Sequence, residues 1–114
     1  MSLISQKAKK LASAVYFITG FFPEQEPSKW KLRTLATDLV SERIPDKSTL
    51  AREIQAILGL VKTAGLISDA NADILLQELS KLEREAEEPL RQLQTVEVIV
   101  PERILPEPIN RTSD

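Results

Sequence analysis

Five basic side chains in the first third of the chain, Lys7, Lys10, Lys29, Lys31 and Arg33, are of a type and spacing that could bind phosphate. Cations that neutralise a phosphate backbone release its condensed counterions, so a local positive face can attract nucleic acid even on a slightly acidic protein. The charge is unevenly placed: residues 1–35 carry six Lys or Arg against two Glu, and residues 69–114 carry five against eleven Asp or Glu. The net charge is only −2. The basic half is therefore a candidate surface for RNA or DNA. The alternative is that these side chains solvate the outer faces of two helices, where long charged residues ordinarily sit.

Other chemistry finds few residues to carry it. The sequence has no histidine and no cysteine. That removes the commonest general base, the commonest transition-metal ligand and every Ser-His or Cys-His arrangement. Asp, Glu, Lys, Tyr16 and Ser would have to supply all catalysis, so the chain reads as non-enzymatic. Glu83, Glu85, Glu87 and Glu88 form an acidic cluster, but metal sites in helical bundles use Glu-x-x-His pairs. These glutamates also fall off the leucine stripe, so a solvated face is expected, with no metal and no cofactor. Three glycines supply no phosphate-cradling loop. Trp30 could stack on a base, yet beside an apolar stripe it reads as a core residue or as an anchor for a partner.

The elements that position these residues are helical. With 42% apolar and only 4% aromatic residues in a chain of 114, a single core must be built from Leu, Ile, Val and Ala. Ile4, Ala8, Leu11, Val15, Ile18 and Phe22 alternate steps of four and three, which predicts a helix over about residues 3–19, ended by Gly20 and Pro23. Glu26-Pro27-Ser28 starts a second helix reaching about Arg43, with Leu32, Leu35, Ala36, Leu39 and Val40 inward and Pro45 as its stop. Asp46 and Ser48 are both candidate caps for a third, whose stripe is Leu50, Ile54, Ile57, Leu58, Val61 and Ala64, closed by Gly65. Ser68 can cap a fourth, with Ile67 as a hydrophobic staple and a stripe of Ala72, Leu75, Leu79, Leu82, Ala86, Leu90 and Leu93. Pro89 should kink that helix or end it near Glu88. Short connections make neighbours antiparallel, so residues 1–94 are expected to form an all-α, up-down-up-down four-helix bundle.

Residues 95–114 read as an extended or disordered C-terminal arm. Val96-Glu97-Val98-Ile99-Val100 predicts a short strand, and Pro101, Pro106 and Pro108 keep the chain extended beyond it. A lone strand has no partner inside a bundle, so the arm is either disordered or adds to a partner's sheet edge through Val96, Val98 and Val100. Phe17, Phe21 and Trp30 near helix ends add apolar area beyond one stripe, which predicts a homo-oligomer. No long apolar run resembles a leader or a membrane span, so a cytoplasmic protein that does not enter a membrane is expected.

Phe22-Pro23-Glu24-Gln25-Glu26, leading into Trp30-Lys31-Leu32-Arg33-Thr34-Leu35-Ala36-Thr37-Asp38-Leu39, resembles the first helix junction of a small four-helix-bundle family. That family comprises the accessory variability determinant proteins of diversity-generating retroelements and the intervening-sequence proteins of 23S ribosomal RNA. Ile57-Leu58-Gly59-Leu60-Val61-Lys62-Thr63-Ala64-Gly65-Leu66-Ile67-Ser68 is similar to the family's leucine-rich helix, glycine, two aliphatics and serine. The resemblance spans about residues 5–88. It implies a pentameric accessory, without an active site, whose basic surface engages a reverse transcriptase and its template RNA during mutagenic retrohoming. This chain departs in being mildly acidic and in carrying the arm. A protein-only adaptor that docks its partner through that arm is the competing expectation.

Overall fold

A computed structural model describes the backbone of residues 3–104 and the side chains of residues 3–87. Within those bounds the regular structure is entirely helical: α1 (Leu3–Thr19), α2 (Pro27–Val40), α3 (Lys47–Thr63) and α4 (Asp69–Ile104). Each helix after the first begins on a side chain that satisfies its orphan amides. Glu26 accepts from the Ser28 amide at 3.2 Å, with Pro27 in the first turn where its missing N–H is not needed. Asp46, rather than Ser48, caps α3 by accepting from the Thr49 amide at 3.1 Å, and Ser48 donates its hydroxyl to the same carboxylate. Ser68 Oγ accepts from the Asn71 amide at 3.2 Å to open α4. At the end of α3, Gly65 adopts φ of 82°, while its own amide bonds to Lys62 O and the Leu66 amide bonds to Val61 O. This left-handed turn favours glycine because a Cβ would be strained there.

The core is aliphatic, and small residues let the helices approach. Ala8, Ala12 and Val15 of α1 meet Leu32, Leu35, Ala36 and Leu39 of α2; Ala51, Ile54, Leu58 and Val61 of α3 and Ala72, Leu75, Leu79 and Leu82 of α4 complete it. Phe22 and Ile67 close it from the connections. Every helix packs on its two neighbours in the order α1–α2–α3–α4–α1. Lys7, early in α1, reaches Glu85, late in α4, at 2.7 Å. Arg52, early in α3, pairs with Glu83 and Glu87 at 3.0 and 3.2 Å, while Lys62 at the other end of α3 pairs with Asp73 at 2.7 Å.

Two boundaries differ from the sequence expectation. Helix α2 stops at Val40, not near Arg43: Ser41 turns to extended backbone at ψ of 133°, and Lys47 Nζ donates to the carbonyls of Asp38 and Ser41. A cation at the carbonyl end of a helix satisfies the groups that would otherwise call for another turn. Helix α4 runs through Pro89 to Ile104, so the expected break near Glu88 and the expected strand at Val96–Val100 are replaced by continuous helix. A nucleated helix extends residue by residue at little cost, whereas a single strand has no ladder to join. The step Val96, Val100, Ile104 also fits a helical period as well as a strand period. The bundle and the first half of the arm are thus one helix across residue 95. The remainder, residues 105–114, lies outside the described residues.

Acid should weaken this fold in a defined window. Glu83 accepts from Gln55 Nε2 at 2.9 Å and from Arg52 Nε at 3.0 Å, and these bonds hold its carboxyl below the ordinary 4.5 against the opposing effect of burial. Asp46 is likewise lowered, first by the Thr49 hydroxyl and amide and then by Ser48. Because both values are depressed by folding, the unfolded chain takes up protons first as pH falls. The stabilisation is therefore complete above the ordinary carboxylate value and is lost progressively below it. Thermal melts from about pH 6 to about pH 3 should show this decline, and Glu83→Gln should flatten part of it. Parallel decline in wild type and variant would remove Glu83 as a carrier.

Candidate functional site

The junction of α1 and α2 collects the polar and aromatic side chains that the core leaves out. Thr19 sits on the inward stripe of α1 with Ala8, Ala12 and Val15, so its hydroxyl is buried and must be satisfied. It donates to Val15 O at 2.8 Å and accepts from Arg33 Nε at 2.9 Å. Arg33 also donates from Nη2 to Tyr16 O at 3.0 Å, and its guanidinium lies 4.6 Å from the Tyr16 ring and 5.8 Å from the Trp30 ring. Gly20 lies beside this clamp: a Cβ there would press on the preceding turn at 3.2 Å from Phe17 O and would meet Arg33 Nη2 at an ordinary contact distance of 3.7 Å. Tyr16 Oη and Thr37 Oγ1 are 3.1 Å apart across the same seam. Together Tyr16, Trp30, Arg33, Thr34 and Thr37 line a shallow depression of about 220 Å³.

The five basic residues singled out in the sequence do not share one fate. Lys29 is 6% exposed, and its ammonium reaches Glu24 at 3.1 Å while lying 5.1 Å from the Trp30 ring. Arg33 is taken up by the clamp, and Lys7 by Glu85. Lys10 and Lys31 are exposed and pair with no acidic group among the described residues. Two of five, on different helices, therefore keep a cation free for phosphate. Trp30 is 46% exposed; its indole N–H donates to Glu24 O at 2.8 Å, which fixes the ring at the surface. The side chains of Val96, Val98 and Val100 lie outside those described, as does that of Glu88. Glu83, Glu85 and Glu87 face cations, and no acidic cluster placed to hold a metal ion occurs among the described residues.

Only Phe22 of the aromatic side chains is buried. Tyr16, Phe17, Phe21 and Trp30 all remain exposed, Phe17 by 70% and Phe21 by 77%, with the two Phe rings edge to face at 5.4 Å. Exposed aromatics concentrated at one end of a small bundle make that end the candidate binding surface, because covering them releases water from apolar area. Thr19, which the sequence reading passed over, and Tyr16 and Glu24, to which it gave no place in a site, are what organise this end. Thr19 did leave a signal, as a polar residue one turn past Val15 on the apolar stripe. Glu24 left none.

The second depression, of about 230 Å³, lies where α1 begins and α2 ends, lined by Ile4, Ala8, Leu39, Ile44 and Lys47 among others. Its lysine, Lys47, is held on the backbone carbonyls of Asp38 and Ser41, and burial lowers its pKa against the raising effect of Asp38 and Glu42. No helix among the described residues is long and apolar enough to cross a membrane. Comparison with known protein families, with curated proteins and with solved structures finds no match.

Proposed function

We propose that this chain is a non-enzymatic accessory protein, an antiparallel up-down-up-down bundle that works by associating with itself and with a larger partner. The observation that carries the reading is the exposure of Tyr16, Phe17, Phe21 and Trp30 at one end, while Arg33 and Lys29 are drawn into holding that end together. The opposed pairings of Lys7 with Glu85 and of Lys62 with Asp73 support the antiparallel order. The resemblance at residues 22–39 and 57–68 supplies the class of partner: a cytoplasmic reverse transcriptase of a diversity-generating retroelement and its template RNA. It also supplies a copy number of five.

The RNA part now rests on Lys10 and Lys31. Two phosphate contacts per chain give a log–log salt slope of about −1.4 to −1.8 per subunit, multiplied by the number of subunits that touch the RNA. Reversal at Lys10 and Lys31 together should remove that slope while the melting temperature stays within a few degrees of wild type. The test is binding of labelled template RNA, with and without the polymerase, over a range of salt. Salt-independent or absent binding in both settings would sink the nucleic-acid part and leave the association.

The internal use of Lys7, Lys29 and Arg33 favours a second reading, a protein-only adaptor. In that case truncation after residue 94 removes partner capture and leaves the melt of the bundle unchanged. Capture that survives truncation would overturn it.

A further inference from the structure

The seams of the bundle treat charge differently. Where α4 packs on α1 and on α3, cations that cross the seam meet carboxylates: Lys7 meets Glu85, Arg52 meets Glu83 and Glu87, and Lys62 meets Asp73. The outer side of the seam between α1 and α2 carries cations without such partners. Lys9, Ser13 and Tyr16 follow on α1 at steps of four and three, and Trp30, Arg33, Thr37 and Val40 follow on α2 at steps of three, four and three. Each set therefore forms one line along its helix, and the two lines border a groove. At one end lies the depression that holds Arg33 and Trp30; a second, of about 470 Å³, shares Tyr16 with it and runs on to Lys9 and Val40. No carboxylate lines either of them.

Arg33 is half-buried, and its guanidinium is fixed through Nε on Thr19 and Nη2 on the Tyr16 carbonyl. It pairs with no acidic group among the described residues, and Nη1 keeps its donors. A partly desolvated cation held in place without a counter-charge favours an anion beside it. Lys9 is exposed and likewise meets no acidic group among the described residues. It stands seven residues before Tyr16, so the two cations are about 10 Å apart along the seam. That separation suits an anionic polymer better than one small ion. Beside the cations, Tyr16 and Trp30 leave 43% and 46% of their surface in water. A groove that holds single-stranded nucleic acid combines these elements, cations that track the backbone and rings that take unpaired bases. An acidic peptide brings the charge without the planar groups, and a duplex keeps its bases stacked on one another. We infer that the groove between α1 and α2 binds a single nucleic-acid strand, with phosphates at Arg33 and Lys9 and a base against Trp30. The inference rests on the nucleic-acid part of the function proposed above, and it adds two phosphate contacts to those of Lys10 and Lys31.

Trp30 is the chain's one tryptophan, so its emission reports on the groove directly. Titration of the full chain at low salt with an oligouridylate of about 12 nucleotides should quench that emission to saturation, and an RNA duplex of equal length should leave it unchanged. Thr34 lines the groove beside Arg33, and its hydroxyl bonds to no described residue. Lys9→Glu with Thr34→Glu should therefore weaken oligouridylate binding about tenfold and make the log–log salt slope shallower by about 1.4, at an unchanged melting temperature. Equal quenching by the duplex or by hexaglutamate overturns the single strand as the occupant. Binding that survives this pair of substitutions and is lost on reversal at Lys10 and Lys31 overturns the groove and leaves the nucleic-acid reading standing. Absence of binding to any of these nucleic acids at low salt overturns both.

Discussion

Lys29→Glu is expected to cost about 3 kcal/mol of stability, and to do so whether or not the protein ever meets RNA. The position is 6% exposed, and among the described residues its ammonium pairs with the Glu24 carboxylate at 3.1 Å. Substitution by glutamate puts a second carboxylate in that place, where desolvation and like-charge repulsion act together. Glu24 itself is 71% exposed, so water screens part of the repulsion, which keeps the figure at the lower end of what an uncompensated buried charge costs. Lys29→Met should be far milder, because the aliphatic stem already lies against the bundle and only the tip reaches outward. Urea titration of the two variants separates the cases: a large loss for Glu and a loss under about 1 kcal/mol for Met. If both are equally mild, Lys29 is a solvated side chain after all. The consequence for function is practical. Loss of RNA binding in Lys29→Glu would report a damaged fold, whereas Lys10 and Lys31 give an interpretable charge reversal.

Leu79→Ala should cost about 3 kcal/mol, within the usual 2–5 for a fully buried leucine. Leu79 is 0% exposed in the middle of α4, among Leu75, Leu82 and the inward residues of its neighbours. Truncation removes its transfer energy and leaves a cavity that four packed helices can only partly close. Ile74, five residues earlier on the same helix, is 61% exposed, and Ile74→Ala should shift stability by no more than about 0.5 kcal/mol. A small domain in urea has a slope near 1 kcal/mol per molar, so the first variant moves the midpoint by about 2–3 M and the second hardly at all. Comparable shifts at both positions would mean that the inward face of α4 is misplaced. Loss of self-association in Ile74→Ala at full stability would instead tie that residue to the face bearing Phe17 and Phe21.

Much of the fold was legible because its determinants are local. The inward stripe of α4 follows from spacing over the described side chains, and those of α2 and α3 follow in their middle turns, but Val40 and Ala64, both expected inward, are exposed, and Ala51 is buried where Leu50 is only half covered. Glu26, Asp46, Ser68 and Gly65 each punctuate the chain through neighbours within three or four residues. The stripe of α1 was placed slightly off: Ala12 and Thr19 are buried, while Leu11 and Ile18 are only half covered. Period alone cannot tell which edge of an apolar stripe faces a neighbour. Pro89 and the valine run misled for a different reason. Each argues against helix taken singly, yet an already formed helix has no competing strand to yield to, and it continues to Ile104.

What the sequence by itself determined is an all-helical chain with its caps, its core residues and its lack of histidine and cysteine, since these depend on residue type and on separations of a few positions. Only the tertiary structure decided which cations are free. Lys7 finds a partner 78 residues away, Arg33 finds Thr19 and the Tyr16 carbonyl across a helix seam, and Lys29 is buried by the same junction that leaves Phe17 and Phe21 in water. Charge acts through distance in space, and distance in space is set by how helices pack. A cluster of basic residues in the chain thereby becomes a mixture of exposed cations and cations held within the bundle, beside an aromatic face.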